Sequence, residues 1–144
     1  MDSRLESFLL GESFELSLRY LGYSVVLMTL FFGQLYLAGS FEMGNSSSLL
    51  MGPVGVAVSA VILAGVQADR NDGILVSVAG AVIIMSGYTL YGVVSLSHPQ
   101  PDYGILAGVG TAVVYGTPIG ITTSVIVYAL RRVTPSKSST ESKE

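Results

Sequence analysis

Four stretches of the chain contain no Asp, Glu, Lys, Arg or His: residues 20–41, 43–68, 73–97 and 103–130. Each exceeds the ~20 apolar residues that a helix rising ~1.5 Å per residue needs to cross a ~30 Å hydrocarbon layer. The pattern predicts an all-α, polytopic membrane protein: a four-helix transmembrane bundle over 19–131, with helices at about 19–40, 48–68, 73–96 and 103–131. Residues 1–18 then form an N-terminal cytoplasmic or interfacial segment, and 132–144 a disordered cytoplasmic tail with almost nothing to bury. No second globular domain is expected. In the N-terminal segment Leu5, Phe8 and Leu9 share one helical face, which reads either as a short interfacial helix ending near Gly11 or as a frayed terminus. Its long, acidic character makes it a poor secretory leader.

The fourth window carries the most structured pattern. Gly104, Gly108, Ala112, Gly116, Gly120 and Ser124 place a small side chain at every fourth position. On an ideal helix of ~100° per residue each step drifts by ~40°, so five steps rotate the ladder by ~200°. The expectation is that Gly104 and Gly108 face one neighbour and Gly116 to Ser124 another. Pro118 lies between, where it removes a backbone donor, frees the carbonyl of Val114 and should kink the helix. Thr111, Tyr115, Pro118 and Thr122 fall within about 60° of one another and form a polar stripe beside the small face. Small faces of this kind allow close backbone approach between membrane helices.

Composition and charge add the threading. Half of the residues are hydrophobic and 12% are charged, against about 25% charged in a soluble domain, and mean hydropathy is +0.62. Arg4, Arg19, Arg70, Arg131, Arg132, Lys137 and Lys143 all fall in segments that four spans place on one side. The other two loops, GSFEMGNSSS and SHPQPDY, contain no Lys or Arg. The positive-inside rule therefore puts both termini in the cytoplasm of a cell-membrane protein. Tyr20, Tyr23 and Tyr128 mark the inner interface and Tyr36, Tyr91 and Tyr103 the outer. Tyr115 falls near mid-membrane, where its hydroxyl calls for an interhelical hydrogen bond. Arg131 and Arg132 are expected to anchor the last helix to lipid phosphates. Asn45 begins an N-glycosylation acceptor, Asn45-Ser46-Ser47, in an outer loop.

The search for chemistry is mostly one of exclusion. Without an ionisable residue in any window, the chain lacks the membrane carboxylate of small proton-coupled exporters and rotary-ring carriers. His98 is the one histidine and there is no cysteine, so neither an intramembrane Ser–His pair nor thiol chemistry can be assembled. His98, Asp102 and Glu42 can be imagined around a metal, but a lone loop histidine reads better as a solvated turn residue. The turn Asp69-Arg70-Asn71-Asp72-Gly73 begins like a calcium loop but lacks its acidic spacing and closing Glu, and reads as a tight helix connection. No cofactor, metal or nucleic-acid partner is expected, and no enzymatic activity. Gln34, Gln67, Ser24, Thr29, Ser59, Ser77, Ser86 and Thr89 read as interhelical glue or as the lining of a narrow polar path.

GQLYLAGS at 33–40 resembles GYTLYGVVS at 87–95, and LLMGPVGVAV at 49–58 resembles ILAGVGTAVV at 105–114. A parallel duplication of two helical hairpins would produce this. The functional expectation is a noncatalytic packing or assembly subunit in the lipid bilayer, associating through small-residue faces with itself or a membrane-protein partner. The rival is a small channel or facilitator for a neutral or weakly charged solute, built at an oligomer interface around the Thr111, Tyr115 and Thr122 stripe.

Overall fold

A computed structural model describes residues 9, 11, 13–40, 52–95 and 104–133. Four long helices occupy them: α1 (Phe14–Ser40), α2 (Pro53–Asn71), α3 (Ile74–Ser95) and α4 (Ile105–Val133). Each is long and apolar enough by length and composition to cross a membrane. Asn45, His98, Asp102, Glu42 and the tail after Val133 lie outside the described residues.

Local chemistry moves several boundaries from those expected. The first helix starts at Phe14 rather than 19, because Ser13 precedes it as a cap, its Oγ accepting from the Leu16 N–H at 3.5 Å. Glu15 and Arg19 pair across one turn at 2.6 Å and carry the helix through its charged residues. The second begins at Pro53 rather than 48: Gly52 is extended, and proline is suited to the first helical position, where no donor is required. It continues to Asn71 rather than 68, until Asp72 adopts the left-handed conformation with φ 52°. The fourth starts at Ile105 and runs through Val133, past the expected 131. The DRNDG segment is the tight connection expected, since α3 begins at Ile74.

Helix α3 is the hub of the bundle and packs against all three others, most extensively against α4. Helix α2 touches both α3 and α4, whereas α1 leans mainly on α3 and only lightly on α2. The two hairpins are therefore not packed alike, whatever their sequence likeness. The core holds Val56, Ala60, Ala81, Ile84, Met85 and Ala112, bordered by Leu27, Phe31 and Leu63. Small side chains predominate there, so the helices approach closely. The outer surface is apolar: Val25, Leu30, Val58, Ile62, Val114 and Val125 are all exposed. Contiguous apolar surface on this scale suits contact with lipid, not water.

Candidate functional site

Gly108, Ala112, Gly116, Gly120 and Ser124 are all buried on α4. A Cβ built at Gly120 would stand 2.5 Å from the Cα of Val78, and one at Gly116 would stand 2.6 Å from that of Val82. At Gly108 it would meet Val93 Cγ2 at 2.9 Å. All three neighbours belong to α3. The expected division of the ladder between two neighbours is thus overturned: one seam runs from Gly108 to Gly120 against a single helix. The i±4 row of a helix is itself a ridge inclined by about 26° to the axis, and a crossing partner follows that ridge rather than the axis. The drift of the ladder is the path of the contact. Val78 and Val82, also four residues apart, are its counterpart on α3.

Gly104 lies outside this seam. It is exposed with open space around its Cα, and its carbonyl accepts from the Gly108 N–H at 3.1 Å at the start of α4. Pro118 is exposed, and α4 is assigned as one unbroken helix through it. The proline needs no break in the seam because its ring points away from it.

The polar stripe occupies the outside of the bundle. Thr111 is half-buried and donates to the Ala107 carbonyl at 2.8 Å. Tyr115, Pro118 and Thr122 are exposed. Tyr115 is 58% exposed, and its hydroxyl has no hydrogen-bond partner among the described residues. The interhelical bond expected of it is therefore not made within the described chain. The cause is rotational: α4 turns its small residues inward, which forces the adjoining polar face outward.

Most of the scattered hydroxyls do not bridge helices as expected. Ser24, Thr29, Ser59, Ser86 and Thr89 each donate to the carbonyl four residues earlier in their own helix. Gln34 is exposed. The bridging expected of Gln67 and Ser77 is present, and Asn71 shares it; all three are buried where α2 turns into α3. Gln67 Nε2 donates to the Gly73 carbonyl at 3.0 Å, and Ser77 Oγ donates to Gln67 Oε1. Asn71 was missed in the sequence, read only as part of a turn. Its signal was position: one turn beyond Gln67, on the face of α2 that turns inward. Gly80 and Gly87 were missed as well, although α1 rests on them. A Cβ at Gly87 would stand 2.7 Å from the Met28 carbonyl oxygen, and one at Gly80 would stand 2.8 Å from Ser24 Oγ.

Every charged side chain among the described residues lies at the same end of the bundle, where α1 and α3 begin and α2 and α4 end. Arg131 does not project into the surroundings as expected. Its Nε contacts Asp69 at 3.0 Å and its Nη1 contacts Asp72 at 2.5 Å, clamping the end of α4 to the α2–α3 turn. Arg132 folds back over the Tyr128 ring, 4.6 Å from its centroid. Among the described residues no cluster of His, Asp or Glu could hold a metal ion.

Fold and surface together define a helical protein with four membrane-capable spans, multi-pass by composition. Comparison with protein-family models, with curated proteins and with solved structures finds no match to this chain.

Proposed function

We propose that the protein is a noncatalytic integral membrane protein of the cell membrane, with both termini cytoplasmic, that acts by associating with other transmembrane helices. The observation that supports association is the exposed stripe of Tyr115, Pro118 and Thr122 on α4. A tyrosine hydroxyl at membrane depth without a protein partner is unfavourable, because lipid tails cannot hydrogen-bond it. A helix from another subunit supplies the missing acceptor. The small-residue seam is consumed in packing α4 onto α3, so it organises the subunit and leaves the polar stripe to meet the partner. The proposed orientation is supported by the described arginines, Arg19, Arg70, Arg131 and Arg132, gathered at one end, which the positive-inside rule turns to the cytoplasm.

The same stripe supports a second reading, a channel or facilitator in which copies of α4 surround a path for a neutral solute, lined by Thr111, Tyr115 and Thr122. Both readings are tested together. Cross-linking and mass measurement in lipid nanodiscs should detect a complex that Tyr115→Leu with Thr122→Leu dissociates, while the variant keeps its helical content. A protein that is monomeric and unpartnered in its native membrane would overturn association. Solute flux into liposomes, lost in the same variant, would select the channel.

A further inference from the structure

A cavity of about 60 Å³ lies at the arginine-bearing end, between the end of α2, the start of α3 and the last turns of α4. Ala68, Ile74, Val125 and the Tyr128 ring make its walls predominantly apolar, and Asp72 and Ser124 also line it. Ser124 is 4% exposed. Its Oγ is the buried side-chain polar atom left without a hydrogen-bond partner among the described residues. This contrasts with Ser17, Ser24, Ser59, Ser86 and Thr111, whose hydroxyls all donate back to the carbonyl four residues earlier. Ser124 leaves that route unused in a place where an unpaired hydroxyl is costly.

The occupant has to be amphiphilic. The lining is predominantly apolar, and besides Ser124 its polar side chains are Asp72, one oxygen of which Arg131 holds, and Tyr128, whose hydroxyl accepts from Arg132. Water alone, which needs two to four polar partners, therefore leaves the apolar walls unfilled. On α4, Tyr128 and Arg132 follow Ser124 at successive steps of four residues, each a rise of about 6 Å. Arg132 donates from Nη2 to the Tyr128 hydroxyl at 2.8 Å, so its guanidinium sits back at the level of that ring. Among the described residues it has no carboxylate partner, unlike Arg131 and Arg19. A cation thus rests on the Tyr128 ring, one wall of the apolar cavity, about one turn along α4 from a deep hydroxyl donor.

We propose that this is a binding site for one glycerophospholipid. Arg132 takes the phosphate, Ser124 Oγ donates to an oxygen of the glycerol backbone, and the cavity between Ile74 and Val125 receives the root of one chain. The site rests on the membrane embedding of the helices and not on association with other subunits, so its loss leaves the oligomer test unchanged.

The test is a titration of the full chain in detergent with a diacyl phosphatidylglycerol, read by native mass spectrometry. One lipid should bind in preference to further ones. Ser124→Ala and Arg132→Gln should each weaken it about five- to tenfold, the worth of one charge-assisted or buried hydrogen bond. Ser124→Leu should abolish it by filling the cavity. Helical content and melting temperature check that the variants fold, and Arg132→Gln, at an exposed position, is the safeguard if Ser124 variants do not. Equal affinity of the wild type, Ser124→Ala and Arg132→Gln overturns the proposal. So does saturation by inorganic phosphate alone, which would make the site a simple anion site, or equally tight binding of a monoacylglycerol, which lacks the phosphate.

Discussion

Asn71, at the end of α2, donates from Nδ2 to Ser17 Oγ of α1 at 2.7 Å, while its Oδ1 accepts from the Ser13 N–H at 3.0 Å. One side chain, 1% exposed, thereby holds the start of α1 to the bundle. Ser17 in turn donates to the Ser13 carbonyl at 3.1 Å, closing the network. Gly11 passes against the same residue with φ +92°, and a Cβ there would lie 2.6 Å from the Asn71 carbonyl oxygen.

Replacing Asn71 with Ala should therefore destabilise the fold by about 2 kcal/mol, since it removes two hydrogen bonds and strands the Ser13 donor. Unfolding in mixed micelles, followed by circular dichroism, measures the loss. Asn71→Asp keeps the acceptor but buries a carboxylate at a position 1% exposed, so at neutral pH it should lose at least as much. A variant as stable as the wild type would show that the α1 start is held by other contacts.

Close approach at the seam makes a sharper prediction. Gly116→Ala and Gly120→Ala press a methyl group onto the α3 backbone, which cannot rotate away, and each should cost about 1–3 kcal/mol. Gly110→Ala, on the exposed side with open space around it, should instead be neutral or stabilising by up to ~1 kcal/mol from helix propensity. The sign difference between alanines on one helix is the readout.

At the buried turn, Gln67→Leu removes two hydrogen bonds but should cost only about 0.5–1.5 kcal/mol, because the Ser77 hydroxyl keeps the Gly73 and Ala64 carbonyls as acceptors at 3.3 and 3.4 Å and the Gly73 carbonyl keeps the Ser77 N–H at 3.1 Å. Ser77→Ala alone takes the donor from Gln67 Oε1, so the double variant should lose less than the sum of the two single losses. Strictly additive effects in this double-mutant cycle would show that the two side chains are not coupled.

Arg131 offers the opposite case. Both of its ion pairs are partly exposed, so Arg131→Gln should lower stability by no more than about 1 kcal/mol, and less at high salt. A larger, salt-independent loss would mean that the clamp is sheltered by lipid or by a partner.

Threading can be tested directly because the chain has no cysteine. A cysteine placed at Ser136 should react with an impermeant maleimide only after the cells are opened, and one at Ser47 should react from outside. The reverse pattern would invert the proposed orientation.

The four spans, their order and the gathering of Lys and Arg at one end were legible in the sequence, because the cost of placing charge in hydrocarbon writes itself into long uncharged windows and the basic residues fall in alternate connections. So was the existence of small and polar faces on α4, which follows from helical geometry alone. What the sequence could not decide was where those faces point. An isolated helix has no crossing partner, and the ladder's drift appeared to divide it between two neighbours. Only the crossing of α3 over α4 turns the same drift into one continuous seam and leaves Tyr115 outside. Asn71 and Ser124 show the same dependence. Each reads as an ordinary turn or helix residue until tertiary packing buries it, and then one is bound to a helix start far away in the chain while the other is left with an unpaired hydroxyl.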